Sequence, residues 1–182
     1  MISFSAAILA GGKSSRFGED KALYKYKGKT LLEWVKESLS DADQIFSVSN
    51  LDLPITTYQD IYASGYSLCG LHAALHYAKH DWVAVVACDM PFLTPSFWQI
   101  LLTHTKGTQM VIAENALGDL EPLAALYHRS LLPIVEEHIQ AQNFKIKNLV
   151  TLAPSRLIPW SMLKTKVNHN LFLNVNTKSD LP

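Results

Sequence analysis

The chain has 182 residues, 48% of them apolar, with 16 basic against 16 acidic side chains and two cysteines. That length points to a single domain over residues 1–182, able to bury about 70% of its extended surface. The charge balance excludes a general electrostatic pull toward nucleic acid or an anionic membrane. No apolar run reaches the roughly 18 residues of a membrane span.

Residues 5–9 form a short apolar strand pattern that runs straight into Gly11 and Gly12. Lys13, Ser14, Ser15, Arg16 and Lys21 follow. Glycines that admit a close backbone approach, beside hydroxyls and cations, suit a polyphosphate better than an ordinary surface turn. Two familiar phosphate motifs fail here. A P-loop would need its first glycine at Ala7, and a dinucleotide fingerprint needs spaced glycines where these are adjacent.

Leu31, Leu32, Trp34, Val35 and Leu39 then recur at helical spacing, with Thr30 as N-cap and Glu33 completing a capping box. Residues 44–49 read as a strand, and residues 55–58 as a shorter one that gives way to Asp60. Leu71, Leu75 and Ala78 mark a helix that stops near residues 79–81, and Trp82–Ala87 is a strongly apolar strand. Ser96 is placed to cap a helix through Phe97, Ile100 and Leu101.

Strands are expected at residues 109–113 and 123–127, and a helix at 131–140 with Pro133 tolerated in its first turn. A last strand at 172–175 and a capped turn at 177–180 complete the series, with no repeat or low-complexity tract. This rhythm implies an α/β fold, a mostly parallel twisted sheet between two helix layers. Such sheets bind ligands at the carboxyl ends of their strands. The N-terminus lacks a basic signal region and Cys69 and Cys88 each sit in apolar runs. Buried thiols and a cytoplasmic location are therefore expected.

Asp89 stands at the tip of the Trp82–Ala87 strand, before Pro91. A carboxylate there can hold Mg²⁺, which takes one or two carboxylates plus substrate phosphates, or it can cap a turn. Alternation along a strand would put Asn174 and Asn176 on one side, where an amide oxygen could complete a metal shell; Asn176 could equally cap the turn that follows. Asp60, after a short strand and before Gly65, reads by itself as a solvated loop acid. His72, His76 and His80 are spaced to share a helical face, which a transition metal could use or solvent could cover. Lys145 and Lys147 follow a helix, as solvated cations or as phosphate contacts. No nucleophilic triad is recognisable.

Residues 9–21 fill every fixed position of L-A-G-G-x-S-x-R-(M/F)-G-x-(D/N)-K, and so resemble the signature of the molybdenum cofactor guanylyltransferase family. Cys88-Asp89-Met90-Pro91 is similar to the family's C-D-x-P, Glu121–Tyr127 to its (E/Q)-P-L-x-A-(L/V)-Y, and Asn174–Leu181 to its closing N-x-N-T-x-x-(D/E)-L. The resemblance implies a nucleotide-diphospho-sugar transferase fold and transfer of GMP from GTP to the phosphate of the molybdopterin cofactor.

By the same resemblance, Leu9, Ala10, Gly11, Gly12, Lys21, Asp60 and Asp89 would bind the nucleotide. Arg16, Lys21 and Asp89 would be catalytic, and Asp89 with Asn176 would hold Mg²⁺. The strand from Glu121 would face the acceptor. Partners would be the two substrates and, transiently, proteins that carry or accept the cofactor. The chain departs from the pattern at Tyr66-Ser67-Leu68-Cys69-Gly70, where the family carries G-P-L-A-G beside the base and ribose. Cytidylyltransferase relatives offer a Ser-Leu pair there, while Leu-Ala-Gly-Gly and Asn-Val-Asn-Thr point to guanine. A cytidylyl- or sugar-nucleotidyltransferase and a non-catalytic nucleotide carrier remain the alternatives. A P-loop NTPase is disfavoured by Ala7.

Overall fold

A computed structural model describes residues 2–11, 20–62 and 65–182. Its first strand, β1 (Phe4–Leu9), is buried along its whole length, as a central parallel strand covered on both faces must be. A 3₁₀ turn at Lys21–Leu23 follows, capped by Asp20, whose carboxylate accepts the Ala22 N–H at 3.1 Å. A small hairpin of β2 (Lys25–Tyr26) and β3 (Lys29–Thr30) turns through Lys27 and Gly28, both at positive φ. That is the geometry of a two-residue hairpin turn.

Helix α1 (Leu31–Ser38) carries the expected capping box: Thr30 Oγ1 accepts the Glu33 N–H at 3.1 Å and Glu33 accepts the Thr30 N–H at 2.6 Å. Next come β4 (Gln44–Val48), β5 (Thr57–Tyr58), α2 (Ser67–Tyr77), β6 (Trp82–Ala87) and α3 (Pro95–Leu102). They are followed by β7 (Met110–Glu114), β8 (Leu120–His128), α4 (Leu132–Gln140), β9 (Ser155–Ile158) and α5 (Trp160–Leu163).

The main sheet has seven strands in the order β5-β4-β1-β6-β8-β7-β9. Only β8 among them runs against its neighbours, pairing antiparallel with both β6 and β7. Alternation splits the core in two. Ala6, Ile8, Ala84 and Val86 pack toward α1 and α3, while Ala7, Leu9, Val83 and Val85 pack toward α2 and α4. The expected three-layer, mostly parallel architecture is the one observed.

Three local expectations are corrected. Thr94, not Ser96, is the N-cap residue of α3; the two hydroxyls bond each other at 2.9 Å. Residues 172–175 form no strand. Val175 is fully buried against Leu31 and its N–H donates to the Asp89 carbonyl at 2.8 Å, which draws the segment onto the loop after β6 instead of into a ladder. The strand beside β7 is β9, whose exposed Arg156 and Leu157 hide the alternation that marks buried strands. Cys69 is buried as expected, whereas Cys88 is partly exposed; both remain thiols. Among the described residues no helix is long and apolar enough to cross a membrane.

The capping box makes a direct stability prediction. Thr30→Ala should lower the unfolding free energy by about 1 kcal/mol. Urea titration should show a lower midpoint at unchanged slope.

Candidate functional site

The site grows from the register of three adjacent parallel strands. Leu9 lies level with Val48 on one side and Ala87 on the other. The ladder then continues one step past the strands: Ala10 N–H donates to the Val48 carbonyl at 3.0 Å, and Cys88 N–H to the Leu9 carbonyl at 3.0 Å. Gly11 and Asp89 therefore leave the sheet side by side, at the mouth of a cleft of about 300 Å³. Among the described residues, a Cβ added to Gly11 would meet nothing within 4 Å, and Gly11 lines the cleft.

Lys21 reaches in from the 3₁₀ turn that Asp20 caps. Its Nζ lies 3.1 Å from Asp89 Oδ2 and 3.2 Å from Asn176 Oδ1. The Lys21 and Asp89 side chains are only 14% and 21% exposed, so solvent screens the pair less than it would on an open surface. Asp89 Oδ1 is buried without a hydrogen-bond partner among the described residues. Three segments remote in sequence thus meet at one ammonium group.

Asn176 is held there through its backbone. Asp180 Oδ2 accepts the N–H groups of Thr177 at 2.7 Å and Asn176 at 2.8 Å, and these bonds hold its carboxyl below the usual carboxylate range. The cap of the 3₁₀ turn at Lys178–Asp180 is Thr177, paired with Asp180. The Asn176 side chain is thereby left for Lys21. Asn174 lines the cleft without the strand that was expected to orient it.

Asp60, just past β5, also lines the cleft, with Oδ1 buried and without a partner among the described residues. Burial raises its carboxyl above the usual value, against a smaller lowering by His72. Burial, and then the charge of Asp89, push the Cys88 thiol up to about 12, so it stays protonated at neutral pH. Among its described residues the cleft therefore offers one ammonium, three carboxylates (Asp20, Asp60 and Asp89) and amide oxygens. No activated nucleophile stands among its described residues. Lys21 can meet an anionic group, while the carboxylates suit a cation or ligand N–H donors.

Leu9, Ala10, Gly11, Lys21, Asp60 and Asp89 all line this cleft. Gly12 and Arg16 lie outside the described residues. Glu121 is turned to Asn115, whose Nδ2 donates to it at 2.8 Å, while Leu123 of the same strand lines the cleft. The three-histidine face does not exist. His80 lies beyond the end of α2 with Nδ1 3.0 Å from Ser5 Oγ, and buried His72 pairs with Glu136 at 3.1 Å. Among the described residues no cluster of three His, Cys, Asp or Glu could hold a metal.

Asn50 and Leu123 are cleft residues that the sequence did not single out. For Asn50 the available signal was its place just past the carboxyl end of β4. Tyr66 and Ser67, where the chain departs from the family pattern, are both in the cleft wall.

The acidic anchor behind Asn176 makes a pH prediction. Asp180 contributes stability that is complete above its ordinary value of about 3.9 and is lost as pH falls through its lower folded value. Amide exchange at Asn176 and Thr177 should accelerate over that acid window, and Asp180→Ala should make it fast at neutral pH.

Comparison with known proteins points one way. The MobA-like NTP transferase domain family matches residues 6–153. A probable molybdenum cofactor guanylyltransferase from Carboxydothermus hydrogenoformans is 31% identical over 186 residues, covering 99% of this chain and 94% of that one. One from Deinococcus radiodurans is 35% identical over 186 residues, covering 100% and 93%. The crystal structure of molybdopterin-guanine dinucleotide biosynthesis protein A from Archaeoglobus fulgidus superposes with a TM-score of 0.81 at 28% identity, covering 97% and 94%. A 2-C-methyl-D-erythritol 4-phosphate cytidylyltransferase from Thermus thermophilus shares the fold at 0.72 and 16% identity, covering 99% and 96%. A Mycobacterium tuberculosis protein solved in complex with manganese shares it at 0.64 and 17%, covering 98% and 95%. The architecture is that of the nucleotide-diphospho-sugar transferases.

Proposed function

We propose a reaction for this chain from one premise: it belongs to the MobA-like NTP transferase family and is a nucleotidyltransferase. The reaction is transfer of GMP from GTP to the terminal phosphate of the molybdopterin cofactor, giving the guanine dinucleotide and pyrophosphate. The observation that carries it is Lys21 Nζ, held between Asp89 and Asn176 in a cleft also lined by Leu9, Ala10 and Gly11.

An oxygen of the acceptor phosphate attacks the α-phosphorus of GTP, and the bond to the β-phosphate oxygen breaks. The attacking group is already an anion, so the protein needs no general base. Its work is alignment and charge neutralisation. Lys21 neutralises the α-phosphate and the incoming phosphate. Gly11 and Gly12 let the backbone approach the nucleotide, and Arg16 meets the departing pyrophosphate.

Among the described residues, Asp89 has one carboxylate oxygen without a partner, and Asn176 presents an amide oxygen across the same ammonium. One carboxylate and one amide fit a hard cation that completes its shell with phosphates and water, here Mg²⁺. When bound, the ion would supply further positive charge to the phosphates.

Asp60 follows β5, and Asp89 follows β6, three strand spacings away in the sheet order. That separation is about 14 Å across the sheet, room for the sugar and base once the phosphates lie at Asp89. An ionised Asp60 can accept two adjacent N–H groups from the Watson–Crick edge of guanine; cytosine offers only its N4 amine on that edge. The same reading sets the reaction in the cytoplasm, with transient contacts to proteins that carry or accept the cofactor, and without nucleic acid or membrane.

Lys21→Ala and Asp89→Ala should each lower kcat about 10²–10³-fold in a pyrophosphate-release assay with GTP, Mg²⁺ and the molybdopterin acceptor. Unchanged turnover in either variant would remove the assignment. Preference for CTP over GTP would reject the guanylyl part and leave nucleotidyl transfer standing. GTP binding without pyrophosphate release would mean a carrier.

Asp60 yields a paired prediction. Ionising it in its buried place opposes folding, so its contribution to stability falls as pH rises from about 3.9 through its raised folded value. Asp60→Asn should therefore be more stable than wild type at neutral pH by thermal unfolding, yet bind GTP more weakly by calorimetry. Wild-type GTP affinity should itself fall on acidification through that raised value.

A further inference from the structure

Tyr66 is 53% exposed, and it is the aromatic residue among the large apolar side chains left open to solvent in the described chain. Its exposure lies in the wall of the cleft. Its ring is stacked on Phe144, with centroids 4.1 Å apart and planes 8° from parallel. A parallel stack covers one face of each ring, and about half of the Tyr66 surface still remains exposed.

Both rings are anchored by helix ends. The Tyr66 carbonyl accepts the Cys69 N–H at 2.9 Å in the first turn of α2. Phe144 follows α4, whose last turn is closed by Asn143 N–H donating to the His138 carbonyl at 2.9 Å. Tyr66 is thus a braced aromatic surface, with little conformational freedom to lose when a planar group settles on it.

We propose that Tyr66, backed by Phe144, is the platform on which the base of the bound nucleotide stacks. The proposal rests on the nucleotidyl-transfer reading above and adds a base contact specific to this chain. The base is favoured over the acceptor's ring by position. Tyr66 belongs to the segment between Asp60 and α2 and shares the cleft wall with Gly65 and Ser67. With phosphates at Lys21 and Asp89, the far part of the nucleotide is what reaches Asp60. An aromatic face gives affinity to any base, so Tyr66 supplies binding strength while the carboxylate of Asp60 reads the base edge.

The test compares dissociation constants for GTP and for inorganic tripolyphosphate, by calorimetry on the full chain. Tyr66→Ala should raise the GTP Kd about 5- to 100-fold and leave tripolyphosphate binding unchanged. Tyr66→Phe should bind GTP within about twofold of wild type, because the π face is retained. Phe144→Leu, which loosens the brace, should give a smaller loss than Tyr66→Ala. The proposal is overturned if Tyr66→Ala leaves the GTP Kd unchanged, weakens tripolyphosphate equally, or raises only the KM of the acceptor. If wild type prefers CTP, the guanylyl reading fails and the same comparison is made with CTP. If wild type binds no nucleoside triphosphate, the nucleotidyl-transfer reading and the platform both fall.

Discussion

Everything in the cleft takes its position from the parallel register of β1 with β4 and β6. Leu9 is level with both Val48 and Ala87, and the hydrogen bonds made by Ala10 and Cys88 carry that register beyond the strands. The glycine loop and the acidic tip are 78 residues apart in the chain, from Gly11 to Asp89. They become neighbours because the two strands, buried on both faces, pair in the register that seats each side chain in its own half of the core. A one-residue slip would exchange the Ala6–Ile8 face with the Ala7–Leu9 face and unmake both halves of the core.

On that frame the site is built from groups whose charge is set by opposite means. Asp180 is solvent-facing and its ionised form is favoured by two backbone N–H groups. Asp60 is half-buried, its Oδ1 has no such donor among the described residues, and its ionised form is disfavoured. The first is a finished structural bond, a loop anchor that keeps Asn176 beside Lys21. The second is an unsatisfied acceptor, which is chemically useful only when a ligand brings donors. Asp89 combines both conditions, with one oxygen on Lys21 and the other buried without a described partner.

The buried strands β1 and β6 and the capped helix α1 were legible because each carries a strong local signal: an unbroken apolar run, or a threonine and glutamate at fixed spacing. Weak local signals misled. Residues 172–175 have strand-like composition, but Val175 is buried against Leu31, a contact no window of sequence contains. β9 is an exposed edge whose polar residues mask its pairing with β7. The histidine spacing implied a shared face only while the helix was assumed to continue past Tyr77.

By itself, the sequence determined the fold class and the family and singled out Lys21, Asp60 and Asp89 as candidate site residues, since local patterns and a long motif specify residue types and their elements. Only the tertiary structure decided which of them meet. It joined Lys21 to Asp89 and Asn176, brought Asp60 into the lining of the same cleft, and stacked Tyr66 on Phe144 across 78 residues. Those pairings depend on strand order, on helices packed from separate layers and on burial. Such quantities arise only when distant segments exclude water together.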